Sequence, residues 1–167
     1  MTVETKRSLL KNIEKWFSRL EENFTGGILL FSGILLFINV IMRYVFHHAI
    51  FWAEELVRYG MVWLIFIGGS QVIKKEGHIR VDLIHVILPD KGQKLLNIVI
   101  DTMSLVFCLG LTFYGFQQTM RIKHFEQVSA ALELSMWVVY LSIPLGGVLM
   151  SFRYIQRLIT AYKTGLL

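Results

Sequence analysis

Residues 24–42 read FTGGILLFSGILLFINVIM and contain no charged side chain. A helix needs about 20 mostly apolar residues to cross the roughly 30 Å hydrocarbon core of a bilayer. The stretch Phe24–Met42 therefore predicts a membrane-spanning helix. Two more stretches meet the same requirement: Leu95–Met120, in which Asp101 is the single charge, and the uncharged Leu134–Phe152.

Another span, the second along the chain, is predicted between Phe24–Met42 and Leu95–Met120. Tyr59–Ile73 is uncharged, but its 15 residues would make a helix of only about 22 Å. We therefore expect this helix to begin near Trp52, which brings nearby charged residues to the headgroup boundary. The sequence predicts an all-α membrane protein, a single domain over residues 1–167 with spans at about 24–42, 52–73, 95–120 and 134–152.

The composition supports this fold class. Apolar residues make up 54% of the chain and charged residues 17%, with a mean hydropathy of +0.56, whereas soluble domains are about 25% charged. The net charge of +5 forms no continuous basic patch, so we expect a lipid bilayer and no nucleic acid as partner. The charged first 23 residues lack a secretory signal core, and the single cysteine, Cys108, excludes an internal disulfide.

The distribution of Lys and Arg predicts the orientation of the chain. The N-terminal segment, the connection between spans two and three and the tail together contain 13 Lys and Arg, against four on the opposite side. Basic residues are enriched in cytoplasmic segments. Both termini are therefore predicted to be cytoplasmic.

Two segments outside the spans have the pattern of helices at a membrane surface. In residues 1–23, apolar residues such as Leu9, Ile13 and Trp16 recur at helical spacing, with charged residues between them. Residues 77–89, GHIRVDLIHVILP, are too short and too charged to span, and Pro89 should end that helix. We expect both to be interfacial amphipathic helices or helices that dock on a partner.

Charged residues near the second span could form a functional site or a packing cluster. Glu54 and Glu55 lie four and three residues before Arg58, so either carboxylate can reach its guanidinium on one helix. Arg43, at the end of span one, lies on the same side of the membrane and could join them. An ion or substrate site is one interpretation. We favour an ion-pair cluster that fixes helix packing or a partner, because buried charges in membranes are usually paired.

Asp101 is a second candidate, since an intramembrane carboxylate is often functional. A coupling ion such as sodium needs several oxygen ligands, however, and the spans contain no second carboxylate at mid-membrane depth. No catalytic set and no metal site are predicted, so we expect no enzyme activity. The candidates for partner contact or packing are Arg43, Tyr44, Trp52, Glu54, Glu55, Arg58 and Asp101.

Four ordered motifs resemble a known family. Asn39-Val40-x-x-Arg43-Tyr44 closes span one and Trp52-Ala53-Glu54-Glu55 opens span two. Gly77-His-Ile-Arg-Val-Asp82 follows span two, and Tyr140-x-x-Ile-Pro144-x-Gly146 lies in span four. Together they are similar to the small, DctQ-like membrane subunit of tripartite ATP-independent periplasmic (TRAP) transporters, over nearly the whole chain.

The resemblance implies a transport role in the bacterial inner membrane. Such transporters import organic acids, such as dicarboxylates, sialic acids and other sugar acids, with a sodium gradient. The implied partners are a large membrane subunit, which is expected to bind the sodium, and a periplasmic substrate-binding protein. The small subunit is expected to act as a scaffold without a cofactor of its own.

Two alternatives stay open. One is a membrane anchor subunit of a redox complex, although the five histidines all lie outside the predicted spans, where they could not ligate a haem between helices. The other is a free-standing channel or small carrier with Asp101 as its ion site.

Overall fold

The chain forms a bundle of helices. The structure is a computed structural model that describes residues 3–75 and 90–163. Its helices are α1 (Val3–Tyr44), α2 (Phe51–Lys75), α3 (Asp90–His124), the four-residue α4 (Trp137–Tyr140) and α5 (Ser142–Lys163). Four stretches are long and apolar enough to cross a membrane: Ser18–Tyr44, Phe51–Lys74, Leu95–His124 and Trp137–Ala161. The all-α class and the four spans are confirmed.

Helix α1 is longer than a membrane span. It runs through 42 residues, about 63 Å at the helical rise, so the amphipathic N-terminal segment and the first span form one continuous helix. Whether the first turns lie along the membrane surface stays a prediction. The predicted surface helix at residues 77–89 lies outside the described residues.

The four spans form a row rather than a closed bundle. Helix α1 packs on α2, α2 packs on α5, and α5 packs on α3, so that α1 and α3 form the two edges. In the most apolar part of each span, 44% of the residues are buried in the fourth span and 11% in the first and third. The fourth span is therefore the centre of the molecule, and the edge helices offer most of their surface to lipid or to partners.

Glycines allow the fourth span to lie close to both neighbours. A Cβ atom at Gly146 would lie 2.6 Å from the Cβ of Phe66 and 2.7 Å from its carbonyl oxygen, and one at Gly147 would lie 3.3 Å from the carbonyl oxygen of Cys108. Backbones that approach this closely leave no room for a side chain. Gly146 and Gly147 therefore allow the fourth span to lie against α2 and α3.

Helix α1 turns a polar stripe toward its neighbours. Ser18, Glu21, Ser32 and Asn39 are buried, with Thr25 partly buried between them, and their spacing of three, four or seven residues places them on one face of a helix. The large apolar side chains, such as that of Trp16, which is 65% exposed, point away from the bundle. This arrangement suits lipid, where apolar groups face outward and polar groups join helices.

The helices of the row have two ends along their axes, and these two ends differ in structure. We call the end near Ser18, Lys74 and Arg153 the terminal end, and the opposite end, with the connections 45–50 and 125–136, the loop end. The connection 125–136 contains an antiparallel bridge between Val128 and Ser135. The fourth span is interrupted at Leu141, shortly before Pro144, which has no N–H to donate to the carbonyl of Tyr140.

Candidate functional sites at the two ends of the bundle

A buried ion pair joins the first and fourth spans at the terminal end. Arg153 Nη2 lies 3.3 Å from Glu21 Oε2, and both side chains are about 95% buried, with exposures of 4% and 5%. The Ser70 hydroxyl of α2 donates a hydrogen bond of 3.1 Å to Glu21 Oε1. One carboxylate of α1 therefore binds α2 and α5 at once.

Ser18 extends this cluster by one turn. Its hydroxyl oxygen accepts hydrogen bonds from Lys74 Nζ at 2.7 Å and from Arg153 Nη2 at 3.1 Å. We call Ser18, Glu21, Ser70, Lys74 and Arg153 the terminal cluster. Because each of its bonds crosses between helices, it fixes the register of α1, α2 and α5 at this end.

Asp101 joins the remaining helix to the fourth span. Its Oδ2 lies 3.5 Å from Arg157 Nε, and the side chains are 9% and 24% exposed. Arg157 lies one turn beyond Arg153 on α5, so the fourth span carries two arginines that pair with carboxylates on the two edge helices. The arrangement at Asp101 is an interhelical ion pair.

Glu55 holds the loop end together. Its Oε2 accepts hydrogen bonds of 2.9 Å from the backbone N–H groups of Ala131 and Leu132, and its Oε1 accepts one of 2.5 Å from the Tyr59 hydroxyl. A carboxylate that accepts N–H and O–H donors makes strong, charge-assisted hydrogen bonds. Glu55 thereby fastens the turn at 129–134 to α2, although residue spacing had favoured Arg58 as its partner.

Glu54 and Arg43 form a looser contact. Their nearest charged atoms lie 3.9 Å apart, and the side chains are 54% and 62% exposed. Arg58 is also exposed, and in the described parts of the chain it makes no ion pair with Glu54 or Glu55. The structure thus brings Arg43 to Glu54, whereas the pairing of either glutamate with Arg58 is not observed in the described parts of the chain.

Tyr44 and Trp52 also lie at the loop end, on either side of the first connection, with 73% and 44% exposure. That connection is fixed by Asn39, whose Oδ1 accepts the Ile50 N–H at 2.8 Å. Near it, a depression of about 510 Å³ lies between the two connections, lined by residues including His48, Trp52 and Ala131. The loop end thus presents polar, charged and aromatic side chains on a fixed backbone.

A metal site requires several ligating side chains close together. Within residues 3–75 and 90–163, no three His, Cys, Asp or Glu side chains lie close enough to hold a metal ion. The charged groups of the terminal cluster bind one another across helices. What this geometry can do is fix four helices in one arrangement and present the loop end and the edge helices to partners.

The sequence alone does not predict the terminal cluster. Glu21 lies in the segment whose pattern indicates a surface helix, and Arg153 enters the sequence argument only as a positive charge of the tail. The signal that could have found them is the heptad-like spacing of Ser18, Glu21, Thr25, Ser32 and Asn39. In a lipid environment such a polar stripe marks the face that packs against other helices.

Comparison with known proteins places the chain in a family. Residues 33–164 match the family model described as tripartite ATP-independent periplasmic transporters, DctQ component. The chain is similar to the sialic acid TRAP transporter small permease protein SiaQ of Vibrio cholerae, with 26% identity over 92% of this chain and 88% of SiaQ. It is also similar to the C4-dicarboxylate TRAP transporter small permease protein DctQ of Vibrio cholerae, with 28% identity over 91% of this chain and 78% of that protein.

A third relative is a much larger protein. The sialic acid TRAP transporter permease protein SiaT of Haemophilus influenzae is 27% identical over 90% of this chain, which corresponds to only 24% of SiaT. The chain thus spans about a quarter of that permease and most of the length of the two small permease proteins. Since the family model covers most of its residues, the chain belongs to the DctQ-component family of tripartite ATP-independent periplasmic transporters.

Proposed function

We propose that this chain is the scaffold subunit of a TRAP transporter that imports organic acids across the bacterial inner membrane. The observation that carries the proposal is the family membership. The similarity of the chain to part of the larger permease SiaT supports a large membrane subunit as its partner.

The geometry supports a static role. At the terminal end, ion pairs tie the first and third spans to the fourth, Glu21 with Arg153 and Asp101 with Arg157. The second span joins them through the hydrogen bond from Ser70 to Glu21. Breaking a buried ion pair is costly because it leaves an uncompensated charge. A helix row held in this way is suited to resist the movement of an attached transport subunit.

The proposal assigns substrate and ion handling to the partners. The organic acid class is supported by relatives that are named for sialic acid and C4-dicarboxylate. Sodium would bind the large subunit, since Glu21 and Asp101 pair with arginines and Glu55 with backbone donors rather than forming a ring of oxygen ligands. A periplasmic binding protein would dock at the loop end, with both termini in the cytoplasm.

Reconstitution tests the proposal. The chain and a large TRAP membrane subunit encoded beside it are purified together and separately, and each sample is placed in proteoliposomes with the cognate binding protein. We expect sodium-dependent uptake of an organic acid only when both membrane subunits are present. Uptake by the chain alone would show a free-standing carrier, and a Soret absorption band in the purified chain would show a haem-binding anchor; either result would overturn the proposal.

A further inference from the structure

An apolar groove with a cationic end lies on the outer face of α3. It has a volume of about 770 Å³, and its walls include Phe113, Phe116, Met120 and Phe125, with Arg121 and His124 at one end. We call it the α3 groove. It is a shallow depression, open along one side to the surroundings of the helix.

The α3 groove faces away from the rest of the chain. Helix α3 is an edge of the row, and Phe113, Phe116 and Met120 are 68%, 53% and 47% exposed. These residues occupy the last turns of the span Leu95–His124. The groove therefore runs along the helix, from the hydrocarbon region to the boundary of the membrane at the loop end.

The charges at its end are arranged asymmetrically. Arg121 and His124 line the groove, and in the described parts of the chain the guanidinium of Arg121 has neither an ion pair nor a hydrogen bond. Lys123 lies on another side of the helix, with its Nζ 5.2 Å from the centre of the Trp137 ring. Of the three basic side chains in the last turn of α3, two therefore line the groove.

We propose that the α3 groove binds one anionic phospholipid, with its phosphate at Arg121 and His124 and an acyl chain along Phe113, Phe116 and Met120. An apolar wall that ends at the guanidinium of Arg121 complements an amphiphile with an anionic head. Guanidinium groups pair with phosphate in a bidentate manner. This proposal does not depend on the transport role of the chain.

Native mass spectrometry of the full chain in detergent tests it. The protein is titrated with phosphatidylglycerol and, separately, with the zwitterionic phosphatidylcholine, and the bound lipid is counted. We expect one phosphatidylglycerol to be retained in preference to phosphatidylcholine. The change Arg121→Gln should weaken its retention by roughly tenfold, as expected for the loss of a charge-assisted contact.

Lys123→Gln is the matched control, since it removes the same charge two residues away on another side of α3, and it should change retention by less than about twofold. Phe116→Ala should weaken the retention of both lipids, because it removes part of the apolar wall and leaves the charge in place. Equal losses in Arg121→Gln and Lys123→Gln would overturn the proposal, because they would indicate general charge attraction. It would also be overturned if the chain purified with its large membrane subunit retained no lipid, because a protein partner would then cover the groove.

Discussion

Glu21 and Arg153 illustrate how single residues set the packing of this protein. In water a surface ion pair contributes little, but here both groups are removed from solvent and each also takes part in hydrogen bonds to Ser18 or Ser70. Their value lies less in net stability than in the helix arrangement they permit. Any other register of α1 on α5 would leave two charges buried without partners.

We expect Arg153→Ala to lower the free energy of unfolding by about 3–5 kcal/mol, because it leaves the Glu21 carboxylate buried without its cation. The double change Glu21→Gln and Arg153→Gln should recover much of that loss, since no net charge stays buried. Thermal unfolding in detergent measures both effects. Arg19→Gln, at an exposed position of α1, is the control and should shift stability by less than about 0.5 kcal/mol; a loss as large as that of Arg153→Ala would show that the buried pair has no special role.

Glu55 and Glu54 are adjacent but should respond differently to removal. Glu55→Ala deletes the acceptor of the Ala131 and Leu132 amides, so we expect these two amides to exchange hydrogen about tenfold faster. Glu54→Ala, which removes only an exposed contact of 3.9 Å, should leave their exchange unchanged. Hydrogen exchange read by mass spectrometry distinguishes the two. Unchanged exchange in Glu55→Ala would contradict the assigned role.

Arg43 and Glu54 are expected to matter for assembly instead. Because both are exposed at the loop end, Arg43→Ala or Glu54→Ala should leave expression and helix packing intact and weaken association with the large subunit or the binding protein. Co-purification yield measures assembly, and a competition uptake assay measures substrate preference. A changed substrate preference with normal assembly would contradict this prediction, and reduced expression would instead indicate a role in helix packing.

At the scale of the elements, apolar span length and charge counts predicted four helices, but not their order in the row. Each span contains an apolar run, so the sequence predicts their number with little ambiguity. The order α1, α2, α5, α3 depends on which small and polar positions meet, such as Gly146 with Phe66 or Glu21 with Arg153. Those pairings are far apart in the chain and leave no local pattern.

Among the contacts at the loop end, the sequence also indicates some and leaves others unmarked. The proximity of Arg43 to Glu54 could be predicted, because both lie at the boundary of consecutive spans. The backbone partners of Glu55 could not, because its Oε2 accepts from N–H groups of a connection 76 and 77 residues away. Backbone donors are the same in every residue, so no side-chain type marks them in a sequence.

The crossing of α2 and α5 makes a prediction at this scale. Gly146→Ala would place a Cβ against the backbone of Phe66, which cannot move without displacing the helix, so we expect a loss of about 1–3 kcal/mol in stability. Gly110→Ala on α3, where nothing lies within 4 Å of the new Cβ, is the matched control and should be neutral or slightly stabilising. Thermal unfolding in detergent compares the two variants, and equal losses would mean that the crossing is looser than described.

For the whole molecule, the open row explains why so little of the edge helices is buried. Helices α1 and α3 each have one neighbour in the row, through α2 and α5 respectively, and the exposed surfaces of their spanning parts are largely apolar. In a lone helix row those surfaces meet lipid, and in a transporter complex some of them meet the large subunit. Because the number of spans is even, the start of α1 and the end of α5 lie on the same side of the membrane.

The side itself is predicted by the basic residues, which favour a cytoplasmic terminal end by 13 to four. The test uses a chain in which Cys108→Ala removes the native thiol and Glu126→Cys introduces one at the exposed loop end. We expect a membrane-impermeant maleimide to label this cysteine in intact spheroplasts, whereas an epitope tag at the C-terminus should become accessible to protease only after lysis. Gln127→Cys, exposed in the same connection, serves as a second reporter. If either cysteine were labelled only after lysis and the tag were accessible from outside, the predicted orientation would be wrong. A periplasmic protein would then have to dock at the terminal end.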